Sequence, residues 1–293
     1  MVNRAHRLPP PRPGLLDRIG VKAAGAYSSV ERGSLTNRGS LITVRRVSDS
    51  TTLGINSIAS TGRLNREQIK AFCSGTTGYV TQWWDLTRQG RHLTQATTSK
   101  QARIFASGLL DVNANGRPAP LFDGVDDTYT RADALGFAGS QDITVGCAYM
   151  ALNAASTYAS PWTIGGTAFA GDNLSFGANV SATQANMARG GPFYKTFTTA
   201  SMASPHYYVN RWAAGAQVSA MSGRQDGADM AVANTVGPSG TVSYANTSFS
   251  LGSALDTIGG GYIQGWENFL FVFNTVLSGT ALAILEAGGA AHA

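Results

Sequence analysis

From residue 118 onward the chain alternates short apolar runs with Gly-, Asn- and Ser-rich breaks, the pattern of strands that bury one face and turn often. Runs rich in β-branched and aromatic residues predict strands near 120–122, 128–131, 143–152, 160–164, 174–178, 185–189, 206–213, 217–222, 247–252 and 265–273. Glycine pairs and triplets punctuate them, notably Gly165-Gly166, Gly190-Gly191 and Gly259-Gly260-Gly261. The last segment, 278–287, predicts a short amphipathic helix with Leu282 and Leu285 inward. No internal repeat suggests a propeller or solenoid.

Before residue 118 the pattern is mixed. Residues 40–47 predict a strand. Residues 64–73 predict a short helix, with Asn65 as N-cap and Gln68 three positions on. Residues 79–85 predict a strand carrying Trp83 and Trp84, followed by a polar loop through Arg88 and His92. The first 22 or so residues hold Pro9, Pro10, Pro11 and Pro13 among Arg4, Arg7 and Arg12, which predicts an extended arm with no packed element. The expected organisation is a basic arm over 1–24 and one β-sandwich over 25–293, the latter with an N-terminal part, 25–119, and a second part, 120–293.

Charge sharpens that division. Residues 1–46 carry nine basic and two acidic side chains, and the remainder carries 13 basic and 15 acidic ones, so the net +5 belongs to the N-terminal region. Only 13% of all residues are charged, a low share that suits an extracellular β module or a virion component. No apolar stretch approaches the roughly 18 residues of a membrane span. The first residues also lack the apolar core of a secretory signal. Cys73 and Cys147 are too few for a disulfide framework and read as two separate buried thiols, with one bridge between them as the alternative.

Several segments carry a resemblance. Phe122-Asp123-Gly124-Val125-Asp126-Asp127-Thr128-Tyr129 leads into a strand through Ile143 and Val145. There follow Tyr207-Tyr208-Val209-Asn210-Arg211-Trp212, a hairpin over 216–223, Ser250-Leu251-Gly252, and the run from Gly265 and Trp266 to Phe273. Together they resemble, in order, a concanavalin A-like or laminin-G-like domain, and imply an all-β jelly-roll sandwich with few short helices. Upstream, Ala26-Tyr27-Ser28, Ile42 to Asp49 and Trp84 to Ala96 are similar to a segment of family 54 α-L-arabinofuranosidase catalytic domains. A similar segment precedes laminin-G-like sandwiches in phage and bacterial surface proteins.

Catalysis and binding compete for the function. A glycosidase needs two carboxylates flanking the scissile bond, yet the chain has only four glutamates, Glu31, Glu67, Glu267 and Glu286, and no strand with acids at alternate positions. The arabinofuranosidase's vicinal cysteines have no counterpart. Asp226 and Asp229 fall in a loop. Asp123, Asp126 and Asp127 fall in a turn, where they either bond turn amides or supply oxygen ligands to calcium; no other cofactor is expected. Alternation sends half of the strand aromatics into the core: Trp84, Trp212 and Phe271 are expected there, and Trp83, Tyr194 and Tyr262 are expected at the surface as platforms for a sugar ring.

The expectation that follows is a non-catalytic bacteriophage virion protein. It would be a capsid decoration, head fibre or tail spike, anchored to other virion proteins through Arg4, Arg7, Pro10 and Arg12, homo-oligomeric, and touching a host-surface glycan. It would neither insert in a membrane nor bind nucleic acid. A secreted arabinofuranosidase-like hydrolase and a bacterial adhesin module are the alternatives.

Overall fold

A computed structural model describes residues 13–152, 159–165, 173–178, 183–189, 193–237, 247–253 and 261–293. The glycine-rich turns at 166, 190–191 and 259–260, and the arm residues Arg4, Arg7, Pro10 and Arg12, lie outside these. Every strand pairing among the described residues is antiparallel, and the chain is an all-β sandwich with three α-helices among the described residues, α1 (Leu15–Ile19), α2 (Arg66–Phe72) and α3 (Gly279–Ala290). No described helix is long and apolar enough to cross a membrane.

The sandwich is built on its last strand, Gln264–Phe273. It pairs along one edge with Ala23–Ser28 and along the other with Ile143–Ala151. The sheet continues through His206–Trp212 to Ser222–Gln225. A second sheet runs Tyr129–Arg131, Phe249–Leu251, Trp162–Gly165, Asn173–Ala178, Gln184–Arg189, Phe193–Thr198 and Val232–Val236. A third group sets Ser40–Arg46 between Thr52–Asn56 and Gly78–Trp83, and reaches the rest through Arg103↔Leu121 and Thr94↔Thr130.

The period of two decides which side chains meet. Tyr149 and Tyr208 point from the first sheet to Phe176 of the second, with ring centroids 6.5 and 5.3 Å away, and Tyr27 stacks on Phe249 at 6.1 Å. Trp212 and Phe271 are buried as expected. On the outer face of the first sheet a helix, α3 (Gly279–Ala290), lays Leu285 over Gly146, where a Cβ would strike both Leu285 and the Tyr207 hydroxyl. Gly288 of the same helix meets Leu15, so the two chain ends seal this face together. Cys73 and Cys147 are both free and buried.

Three expectations need correction. Residues 15–19 form a helix, α1 (Leu15–Ile19), and Ala23 already pairs with Phe273, so an extended arm running to residue 24 is excluded. The spacing of Leu15 and Ile19 puts both on one buried face, a helical signal hidden beside the prolines. Residues 217–222 are not a strand: Val218–Ala220 make a 3₁₀ turn that buries Val218 and Met221, and the strand is Ser222–Gln225. Trp83 and Trp84 exchange roles. Thr43 pairs with Gln82 but Val44 pairs with Val80, so Thr81 is a bulge that reverses the alternation. Trp83 therefore turns into the core, fully buried, while Trp84 stays half exposed and donates its indole N–H to the Thr43 hydroxyl at 2.9 Å.

A second bulge has an electrostatic cost. Ala148 pairs with Phe269 but Tyr149 pairs with Glu267, which sends Asn268 outward to donate to the His292 carbonyl and turns Glu267 into the core. Both Glu267 oxygens lack a partner, and burial alone pushes its carboxyl well above the ordinary glutamate range. The folded protein holds this group neutral, whereas the unfolded chain ionises it above about its ordinary value of 4.5. Stability is therefore lost as pH rises beyond that value. Glu267→Met should stabilise the protein by about 1–3 kcal/mol at pH 8 and by less at pH 5, as measured by urea unfolding at the two pH values.

Candidate functional site

The third strand group meets the closing strand at a cavity of about 440 Å³, a size suited to a small sugar. Its wall is made where Leu121–Asp123 pairs with Trp266, Gly265 and Gln264. Tyr79 and Phe122 supply aromatic surface, and Gln101 and Arg103 supply polar groups. Gln101 is fixed between the Arg45 guanidinium, which donates to its side-chain oxygen at 2.9 Å, and the Gln95 carbonyl. Arg103 is held by Asp111 at 2.8 Å.

Asp123 and Asp127 line the same cavity. The turn between them is self-bonded: Asp123 Oδ1 accepts the Val125 and Asp126 amides at 2.8 and 3.4 Å, and Asp127 Oδ2 accepts the Asp123 amide at 2.9 Å. Asp127 is 3% exposed. Burial, then the negative charge of Asp123, push its carboxyl up to about 7, and the Asp123 amide only partly offsets this. Asp123 lies at the solvent edge. The site thus presents a carboxyl that carries a proton near neutrality beside a second carboxylate, the two-environment arrangement that acid-assisted bond cleavage needs.

The three turn aspartates do come together, each with a carboxylate oxygen within 4.8 Å of the others. Three carboxylates could hold a hard cation. The amides they already accept account for their conformation as turn-bonding residues.

The expected glycan platform does not form. Trp83 packs edge-on against Tyr129 at 6.2 Å inside the core, and Tyr262 is buried beside its bridge to Ser253, so neither offers a free ring face. Tyr194 is half-buried in a strand between Ala188 and Val236. Tyr79, one position before the buried Val80, is the partly exposed aromatic of the cavity, beside the buried Phe122. Among the described residues, the other acids considered above are engaged away from this cavity. Asp226 contacts His206 at 2.6 Å, Asp229 contacts Arg224 at 2.6 Å, and Glu267 is inside the sandwich.

Comparison with known proteins bears on this arrangement. The family described as "Alpha-L-arabinofuranosidase B, catalytic" matches residues 17–160. Among solved structures, an arabinofuranosidase complexed with arabinofuranosyl-alpha-1,2-xylobiose is 17% identical, with a TM-score of 0.68 over 95% of this chain and 64% of that one. A family 54 α-L-arabinofuranosidase soaked with a cyclic sulfate inhibitor is 16% identical, with a TM-score of 0.63 over the same shares of the two chains. The chain thus spans about two-thirds, 64%, of the length of these structures, and at such identities the likeness establishes a shared fold. No curated protein matches the sequence.

These findings correct the expectation of a non-catalytic virion protein. The matched family is a catalytic domain and the matched structures are glycoside hydrolases, so the virion role, the virion location and the absence of enzyme activity are all withdrawn. The described carboxyls that face this cavity are not glutamates alternating on one strand but aspartates at the two ends of a five-residue turn.

The raised Asp127 carboxyl also sets a stability signature. Its proton stays on in the folded state up to about 7 and leaves the unfolded chain near 3.8, so wild-type stability declines across that window and no further above it. Asp127→Asn keeps an oxygen for the Asp123 amide and removes the titration. The thermal midpoint of the wild type relative to this variant should fall between pH 4 and pH 7 and then level, as measured by differential scanning fluorimetry.

Proposed function

We propose that this chain is a glycoside hydrolase of the α-L-arabinofuranosidase kind, and that the cavity at Asp123 and Asp127 receives the sugar. The observation that carries the proposal is the match of residues 17–160 to that catalytic family, a span that contributes Tyr79, Gln101, Asp123 and Asp127 to the cavity. The order of the segments from Phe122 to Phe273 supports placing the sandwich in the concanavalin A-like group. Arabinose-bearing polysaccharides lie outside cells, which implies an extracellular place of action.

In this reading Asp127, neutral near pH 7, gives its proton to the glycosidic oxygen as the bond to the anomeric carbon breaks. The Asp123 carboxylate attacks the anomeric carbon, so that its new C–O bond replaces the glycosidic bond as a glycosyl ester and the rest of the substrate leaves as an alcohol carrying the Asp127 proton. One oxygen of each carboxyl lies within 4.8 Å of the other, too close for the roughly 6.5–9.5 Å spacing of enzymes that insert a water and in keeping with direct attack on the anomeric carbon. Hydrolysis of the resulting ester by water, with the Asp127 carboxylate now taking a proton, restores both groups. Tyr79 offers the apolar ring face, and the fixed Gln101 offers an amide to the sugar hydroxyls.

The test is release of 4-nitrophenol from 4-nitrophenyl α-L-arabinofuranoside. The wild type should turn it over, with kcat/KM falling as pH rises through about 7 as the acid loses its proton. Asp127→Asn and Asp123→Asn should each lower kcat by about 100-fold or more while remaining folded by circular dichroism. No release by the wild type across a panel of arabinofuranosides would overturn the proposed activity. Full activity in both variants would move the site elsewhere.

A further inference from the structure

A second cavity, of about 320 Å³, lies between α1 and the turn at residues 61–63, and shares no lining residue with the first. Three arginines line it, Arg18, Arg32 and Arg63, with Glu31 as the one acid. The Arg32 backbone N–H donates to the Gly62 carbonyl at 2.8 Å, and Glu31 bridges to Arg63, so the two segments are stitched together at the cavity wall. Gly62 sits at φ +74°, and a Cβ there would lie 3.0 Å from Arg32 Nε; the bare glycine lets the arginine stem lie flat against the turn.

Arg32 is unusual for a charged residue: it is only 5% exposed, and among the described residues its guanidinium makes no hydrogen bond and no ion pair within 4 Å. The nearby acids hydrogen-bond to other groups and offset only part of this charge: Arg32 helps to hold Asp17, and Arg18 and Arg63 help to hold Glu31, below the ordinary carboxylate range. Asp17 accepts the Gly14 and Leu35 amides at 2.9 and 2.7 Å and the Ser34 hydroxyl at 2.6 Å. Glu31 faces the buried His292 ring at 3.5 Å. More positive charge stands behind the cavity: burial, then the charges of Arg117 and Arg63, pull Arg66 below the usual arginine range. The segment that precedes Pro13, residues 1–12, contains neither Asp nor Glu and so brings no side-chain anion. A guanidinium with little exposure and no protein partner presents a forked set of N–H donors to the cavity, and the paired oxygens of one oxyanion match them.

We infer that this cavity is a binding site for a small oxyanion, the carboxylate of a uronic acid or a phosphate group, held by Arg32 from below and by Arg18 and Arg63 at the rim. The inference is independent of the proposed hydrolysis, because the two cavities share no residues and its readout is binding.

The test is isothermal titration calorimetry of the full chain at low ionic strength with sodium phosphate, with sodium glucuronate and with D-glucose, the neutral counterpart of glucuronate, as control. Phosphate, glucuronate or both should bind more tightly than glucose, added sodium chloride should weaken the anions, and glucose binding as tight as that of glucuronate would overturn the inference. Arg63→Gln and Arg32→Gln should each weaken binding about 10-fold or more. The tighter of the two anions identifies the source of the oxyanion. Because Arg32→Gln removes a buried side chain, the exposed Arg63→Gln decides the matter if the former lowers the thermal midpoint. Absence of binding by both anions to the wild type would overturn the inference, as would binding that Arg63→Gln leaves unchanged.

Discussion

The fold depends on the pairing of Gln264–Phe273 along both of its edges. On one side it takes Ala23–Ser28, near the start of the described chain, and on the other Ile143–Ala151 from its middle. Without it the two would have no common partner, and α1 and α3 would have no sheet face to close. Long-range pairing of this kind is slow to form and unrewarded until loops of more than a hundred residues have closed. Its stabilisation is collective: Phe269, Leu270, Phe271, Val272 and Phe273 are all buried. The bulge at Glu267 and Asn268 is a local concession within that strand. It frees Asn268 to bind the His292 carbonyl at the C-terminal end of the chain, and it costs a carboxyl with no partner in the core.

The same strand positions the candidate site. Its first residue, Gln264, pairs with Asp123, and the turn from Asp123 to Asp127 is fixed by its own amide bonds, so the two carboxyls have little freedom to separate. Burial of Asp127, and then the close approach of Asp123, raise its carboxyl, because both acids cannot ionise cheaply in a poorly solvated place. At the opposite extreme of local charge, the Arg32 cavity gathers guanidinium groups without enough carboxylates to meet them. The two cavities hold uncompensated charge of opposite kinds, and each is placed where backbone pairing, not side-chain attraction, keeps its members together.

Much of the fold was legible because strands announce themselves by period. The strands at 40–46, 78–83, 143–151, 206–212 and 264–273 follow directly from β-branched and aromatic runs, and the Asn65 cap on Gln68 follows from residue type. Facing was harder to read, since a bulge is invisible in a hydrophobic pattern. One skipped residue at Thr81 reversed the roles of Trp83 and Trp84, and one at Asn268 turned Glu267 inward. The site was half legible. Asp123, Asp126 and Asp127 could be singled out as a turn cluster, but not the burial that separates Asp127 from its neighbours, nor the arrival of Tyr79 and Gln101 from a different strand group. The Arg32 cavity was unreadable, because Arg18, Arg32 and Arg63 are dispersed in sequence and only the helix at Leu15–Ile19 and the turn at Gly62 bring them together.

The central claim is that the fold keeps a protonated carboxyl in a sugar-sized cavity. It is tested most directly by following the side-chain carbonyl carbon of Asp127 by carbon-13 NMR as a function of pH, with and without L-arabinose. A titration midpoint near 7, with a resonance that moves when the sugar is added, is the result the account predicts. A midpoint in the ordinary aspartate range near 3.8, indifferent to the sugar, would contradict it.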